Sequence, residues 1–193
     1  MITVPDVDLH ELIEKTIASA FGLDHYKYLI ERLPKVDISK DVDYFQKTFN
    51  YYYRVRRGET WRKHYYDYFQ ESKSSSVSFA DIITYLYGKT EGMIEPSFSS
   101  KMYATLNTDK PIWDQNVLDA LNLKLTGIGM QRLNNAIDLY KRIETWYNEF
   151  VESKKGKEWI AIFDKVLPSY KEVSNIKKID CFLWRAKKAE TTA

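Results

Sequence analysis

Arg54, Arg56, Arg57, Arg62, Lys63 and His64 are interleaved with Tyr51, Tyr52, Tyr53, Tyr65 and Tyr66, an alternation with a chemical use. Guanidinium and ammonium groups hold phosphates while aromatic rings stack on exposed bases, so the pattern suits a nucleic acid. An equal reading has the tyrosines packing a core and the arginines solvated. Lys177, Lys178, Arg185, Lys187 and Lys188 repeat the pattern with Phe182 and Trp184. Lys101 follows Ser100 on a short helical stretch, where a lysine is by default a solvated residue. Asp114 closes the run Pro111-Ile112-Trp113-Asp114, three residues before Val117, where a helix N-cap belongs. Trp113 reads either as a base-facing ring or as a core plug, and Asp180 either as a second acid or as half of a buried ion pair. His10, His25 and His64 show no metal-ligand spacing. A single cysteine, Cys181, excludes an internal disulfide, a four-cysteine iron–sulfur cluster and a zinc ribbon. Neither a metal nor a cofactor is expected.

The elements that must carry these residues are helices. Glycine and proline number only 7 and 5 of 193 residues, which leaves few turns and favours long helices. Leu9, Leu12, Ile13, Ile17, Ala20 and Phe21 repeat at three-and-four spacing and are followed by Gly22, so a first helix is expected there. Asp24 then caps a second helix that Pro34 ends. A third is expected over 39–57 with Gly58 behind it, and a fourth over 60–69. The polar run Glu71 to Ser76 has the composition of a loop. Ser78 with Asp81 forms a variant capping box and opens a helix that ends near Gly88. A short helix over 97–106 follows, which Pro111 separates from another after Asp114. Gly127 and Gly129 mark a turn before the longest amphipathic stretch, 130–150. Helices over 159–166 and 176–187 complete the chain. No strand-like alternation occurs, so the expected fold class is all-α, a single compact multi-helix domain spanning 1–193.

Hydrophobic residues at 44% and charged residues at 29% match a soluble, folded chain. No apolar run approaches the ~18 residues of a membrane helix, and acids occupy the N-terminal stretch where a signal peptide needs a basic and then an apolar segment. No membrane partner and a cytoplasmic location are therefore expected. Net charge is only +2, so local clustering and not a bulk field must attract any polyanion.

Residues 78–121 read SFADIITYLYGKTEGMIEPSFSSKMYATLNTDKPIWDQNVLDAL. A helix ends in a glycine-containing turn, a second helix carries a lysine near its start, and a proline-broken loop delivers an aspartate to a third. That order resembles the helix-hairpin-helix DNA glycosylase superfamily, which includes the 8-oxoguanine glycosylases and the endonuclease III relatives. It is most similar to bacterial glycosylase-fold proteins with a Ser-Lys pair and a Pro-Ile-x-Asp-x-x-Val element. Ser100-Lys101 and Pro111-Ile112-Trp113-Asp114 with Val117 carry the likeness, while the glycine hairpin is degenerate, reading Gly88-Lys-Thr-Glu-Gly92-Met-Ile-Glu-Pro96.

The resemblance implies a helix-hairpin-helix-like element at about 78–121 and a DNA repair hydrolase that flips a damaged or modified base from duplex DNA, with or without AP-lyase activity. It places the amine nucleophile on Lys101, which attacks only when deprotonated, and a charge-stabilising carboxylate on Asp114. A base would meet Trp113, Phe182 and Trp184. DNA would meet Arg54, Arg56, Arg57, Arg62 and Lys63, and Gly92, Ser99 and Ser100 around the hairpin. The alternative is a catalytically silent helical module that binds DNA or a protein. Convergence of Lys101 and Asp114 on one cleft discriminates the two, since both must act on a single sugar.

Overall fold

Apolar residues recurring every three or four positions let each segment satisfy its backbone internally and bury one stripe. The computed structural model describes residue 2 and residues 21–186, and over these it holds nine α-helices and no strand. They are α1 (Phe21–Arg32), α2 (Lys47–Tyr52), α3 (Glu59–Ser72), α4 (Phe79–Lys89), α5 (Pro96–Leu106), α6 (Gln115–Ala120), α7 (Gly129–Glu152), α8 (Lys154–Val166) and α9 (Asn175–Arg185). The helix expected from Leu9 onward falls almost wholly outside the described residues, as do Lys187 and Lys188.

Two expected boundaries are corrected. Gly22 does not end a helix but lies in the first turn of α1, where the space a Cβ would fill comes within 3.4 Å of the Tyr52 ring. Asp24 therefore sits in the first turn of α1 and not before it. Residues 39–57 are not one helix. A π-helical turn, Val42–Gln46, leads into α2, and the Gln46 side-chain amide is drawn inward to donate to the Ile38 carbonyl at 2.8 Å. The chain then leaves α2 at Tyr53 and runs irregularly to Gly58, the N-cap of α3. α3 also reaches Ser72, two residues into the polar run expected as a loop, and Ser72 is buried.

The capping signals form as the residues dictate. Ser78 accepts from the Asp81 amide while the Asp81 carboxylate accepts from the Ser78 amide. Asp114, Ser153 and Ser174 cap α6, α8 and α9 one way only, their side chains accepting from the Asn116, Gly156 and Lys177 amides. Each cap contributes about 1 kcal/mol.

Packing divides into two apolar clusters that share α4. One gathers Phe45 from the π-helical turn with Phe49, Tyr65, Phe69, Ile82 and Met102 from α2 to α5. The other gathers Phe79, Ile83, Val117, Tyr147, Trp159 and Phe182 from α4 and α6 to α9. Ile112 belongs to the first and its neighbour Trp113 to the second, so the segment leading to Asp114 runs along the seam.

Among the glycines the least room is at Gly156 in α8, where a Cβ would collide with the backbone carbonyl of Phe150 in α7. Gly156→Ala is expected to cost more than about 3 kcal/mol, because backbone and not a flexible side chain would have to shift. A melting temperature lowered by roughly 6–12 °C is the expected observation, and an unchanged one would show that the α7–α8 contact can relax.

Candidate active site

Asp114 is positioned by partners from several helices. The Tyr140 hydroxyl of α7 donates to the Pro111 carbonyl at 2.8 Å, and Lys110 pairs with Glu144 at 3.1 Å. Ser174, before α9, donates to the Thr108 carbonyl at 2.6 Å. The Ser100 hydroxyl of α5 accepts from the Trp113 amide at 2.8 Å and donates to the Ser97 carbonyl. This last bond links the helix of Lys101 directly to the residue before Asp114. Asp114 itself accepts from the Asn116 amide with one oxygen and turns the other toward Lys101.

Lys101 Nζ lies 4.0 Å from Asp114 Oδ2 and donates to the Tyr53 carbonyl at 3.3 Å. The Phe98 ring stands 5.2 Å and the Tyr53 ring 5.9 Å from the ammonium. Only 10% of the Lys101 side chain is exposed, against 24% for Asp114, so the carboxylate is the more open of the two. Burial pushes the Lys101 amine below the ordinary lysine value, with Asp114 and Asp180 acting against it and the positive charges of Lys177 and Arg54 acting with it. The two residues, 13 apart in sequence, thus meet in one place.

A second buried lysine lies nearby and is driven the other way. Lys177 Nζ is 2.9 Å from Asp180 Oδ2, while Tyr147 donates to the other Asp180 oxygen at 3.3 Å. Burial again opposes the charge on Lys177, but the Asp180 carboxylate more than offsets it and leaves the ammonium well above the ordinary lysine value. Asp180 is therefore half of a buried ion pair. Burial pushes the Cys181 thiol up to about 11 and the Tyr52 phenol to about 12, which keeps both neutral at physiological pH. Neighbouring groups of one type with amines pushed apart are the arrangement that separates a free base from a fixed charge.

Several expected contacts are corrected by burial. Ser99 and Ser100 are fully enclosed, and Ser99 bonds the Glu95 carbonyl. Trp113 is a core plug, its ring parallel to Phe79. Phe182 packs edge-on against Trp159 and Phe163 with no exposed face, which leaves no surface for a base. Lys177 and Lys178 are buried as well, so among the described residues of the second basic cluster Arg185, beside Trp184, is the cation left toward the surface. In the first cluster Tyr53, Tyr65 and Tyr66 are core residues and Tyr51 is exposed.

The remaining cations have distinct surroundings. Arg56 is exposed and Arg62 half-buried, Lys63 pairs with Asp67 one turn on, and Gly92 is exposed with φ 79°. Arg57 forms a bidentate pair with Glu95, its Nε and Nη2 donating at 2.9 and 3.0 Å. That pairing neutralises one of the two glutamates in the turn between α4 and α5. It escaped sequence reasoning because 38 residues separate the partners. The same holds for Tyr53, whose backbone carbonyl meets Lys101 and leaves no side-chain signature.

Glu95 is buried and Arg57 is not, so the consequence of removal is asymmetric. Arg57→Ala strands a buried carboxylate and is expected to cost about 1–3 kcal/mol. Adding Glu95→Gln should recover part of that loss in thermal melts, whereas additive losses would show that the pair is not coupled.

A groove of about 570 Å³ runs beside α6 and the start of α7. Trp113 and Gln115, which flank Asp114, contribute to its walls, but Lys101 and Asp114 do not. Among the described residues no group of histidine, cysteine and acidic side chains could hold a metal ion, and no helix is long and apolar enough to cross a membrane. Comparison with protein-family models, curated proteins and solved structures finds no match to this chain.

Proposed function

We propose that this protein is a DNA glycosylase that uses Lys101 as an amine nucleophile and Asp114 as the carboxylate opposite it. The observation that carries this reading is the approach of a desolvated lysine to a helix-capping aspartate, with Nζ 4.0 Å from Oδ2, at the seam between two apolar clusters. An amine that burial makes easier to deprotonate is better able to attack a carbon that is becoming electron-poor. At a flipped nucleotide that carbon is C1′ of the sugar. The new C–N bond forms as the glycosidic bond breaks, and the base departs with the bonding pair and takes up a proton. The Asp114 carboxylate stabilises the positive charge that grows on the sugar, and it then relays a proton from the lysine nitrogen to O4′, so that the C1′–O4′ bond breaks with its electron pair leaving on O4′ as the C=N bond of the Schiff base forms. Loss of a C2′ proton next expels the 3′ phosphate, which is the lyase step.

The resemblance over residues 78–121 supports the same substrate class. The degenerate hairpin is less adverse than its two glutamates imply, since Glu95 is held by Arg57. The test is incubation with duplexes carrying 8-oxoguanine, other modified bases and abasic sites, with and without borohydride. Base release and a trapped covalent adduct are expected. A panel yielding neither would leave the silent helical module as the reading to keep.

A further inference from the structure

Lys101 lies about one turn past Phe98 on α5, so the two side chains share a face of that helix. Two rings border the ammonium, Phe98 at 5.2 Å and Tyr53 at 5.9 Å. Tyr53 is buried and Phe98 half-buried, which makes Phe98 the ring that stands between this amine and solvent. A second cation borders the same ring, the Arg57 guanidinium lying 5.2 Å from its centre. A ring that merely filled space would be surrounded by apolar atoms. This one touches two ion pairs, Lys101 with Asp114 and Arg57 with Glu95.

The ring is held in place from outside its own helix. The Tyr65 hydroxyl donates to the Phe98 carbonyl at 2.9 Å, and Trp61, stacked on Tyr65, meets the Phe98 ring edge-on at 5.1 Å. Both partners belong to α3, which thereby fixes the wall beside the lysine. Such a wall matters because water in its place would solvate the ammonium and favour the charged form. The other charged groups around the amine are Asp114 ahead of α6, Lys177 and Asp180 on α9, and Arg54 just past α2. The carboxylates favour the proton and the cations oppose it, and burial outweighs them all. Arg54, exposed and 5.7 Å from the Trp184 ring, weighs least.

We infer that Phe98 is a positioning residue for the proposed reaction, the apolar wall that keeps water from the Lys101 amine. The inference rests on the lysine–aspartate reading of the site, and it adds a residue that acts through Lys101.

Phe98→Gln and Phe98→Met replace the ring by side chains of similar length, one polar and one apolar. The amine is read directly, by titrating the ε-carbon resonances of full-length protein carrying isotopically labelled lysine, with the Lys101 signal identified by its loss in Lys101→Met. Phe98→Gln should raise the titration midpoint by about one pH unit toward the ordinary lysine value, and so lower trapping on abasic-site DNA at neutral pH about tenfold. Phe98→Met should leave the midpoint at or below that of the wild type, because the wall stays dry while the ammonium loses the ring face that attracts it. Phe98→Ala opens the wall by a second route, leaving space for water, and should move the midpoint as Phe98→Gln does, so that either folded variant suffices. A ring with only a packing role predicts lower melting temperatures and an unmoved midpoint. A midpoint unmoved or lowered in Phe98→Gln or Phe98→Ala, or raised equally in Phe98→Met, would overturn the wall. Borohydride trapping separates this outcome from failure of the lysine reading. A Lys101-dependent adduct with a midpoint indifferent to Phe98 overturns the wall alone, whereas a midpoint that follows the expected pattern without any adduct overturns the nucleophile alone.

Discussion

Lys101→Gln is expected to reduce the borohydride-trapped adduct on abasic-site DNA to background while the protein stays folded. Glutamine offers no amine to the aldehyde, and what it gives up is the 3.3 Å hydrogen bond to Tyr53 and the 4.0 Å approach to Asp114, while the apolar stem beside Phe98 is largely kept. The pH dependence makes the result specific. Burial lowers the Lys101 amine below the ordinary lysine value of 10.5, so adduct formation by the wild type should rise at a pH below that of a solvated lysine. Stability carries the same signature. Below 10.5 the unfolded chain binds the lysine proton more tightly than the folded one, so wild-type stability relative to Lys101→Met should increase as pH rises from neutral toward 10.5. A flat difference across that window in chemical denaturation would mean that the amine is not desolvated. Trapping retained in Lys101→Gln would assign the adduct to another lysine.

Asp114→Asn is expected to lower base excision by about 10²–10³-fold without lowering stability by more than about 1 kcal/mol. Asparagine caps a helix as well as aspartate and keeps an oxygen for the Asn116 amide. What it lacks is the charge 4.0 Å from Lys101. That charge holds the lysine proton on, since Asp114 raises the Lys101 amine against the effect of burial. Its removal therefore leaves more free amine and not less, so a loss of excision cannot be traced to a protonated nucleophile. The variant should still trap on a preformed abasic site, where no glycosidic bond remains to be broken. Excision and trapping lost together, with a lower melting temperature, would reduce Asp114 to its cap. Excision unchanged would remove the carboxylate from the chemistry.

The helices were legible because their signals are local. Ser78 and Asp81 cap one another across three residues, Asp114 caps its own helix, and apolar spacing marks the long α7 without reference to any partner. Where the spacing misled, a tertiary contact had intervened. Gly22 continues a helix beside the Tyr52 ring, and the stretch expected as one helix over 39–57 breaks at a π turn and again at Arg54. Aromatic residues make up 15% of the sequence, but their position along the chain could not sort them, because burial depends on which face of a helix meets another. Tyr53 and Tyr65 went to the core, as did Trp113 and Phe182, while Tyr51 stayed outside.

By itself the sequence determined an all-helical chain with a lysine and a capping aspartate in one short segment, since hydrogen bonding and apolar periodicity act within a few residues. Only the tertiary structure decided that this lysine is buried and faces that aspartate. Their meeting depends on Tyr140, Ser174 and Ser100 holding the loop from three directions, and on the Tyr53 carbonyl arriving from 48 residues away. It also decided which glutamate of the turn is neutralised, through an arginine 38 residues distant. Such partners leave no mark in local spacing, because desolvation and ion pairing depend on what the folded chain brings near and not on what stands adjacent along it.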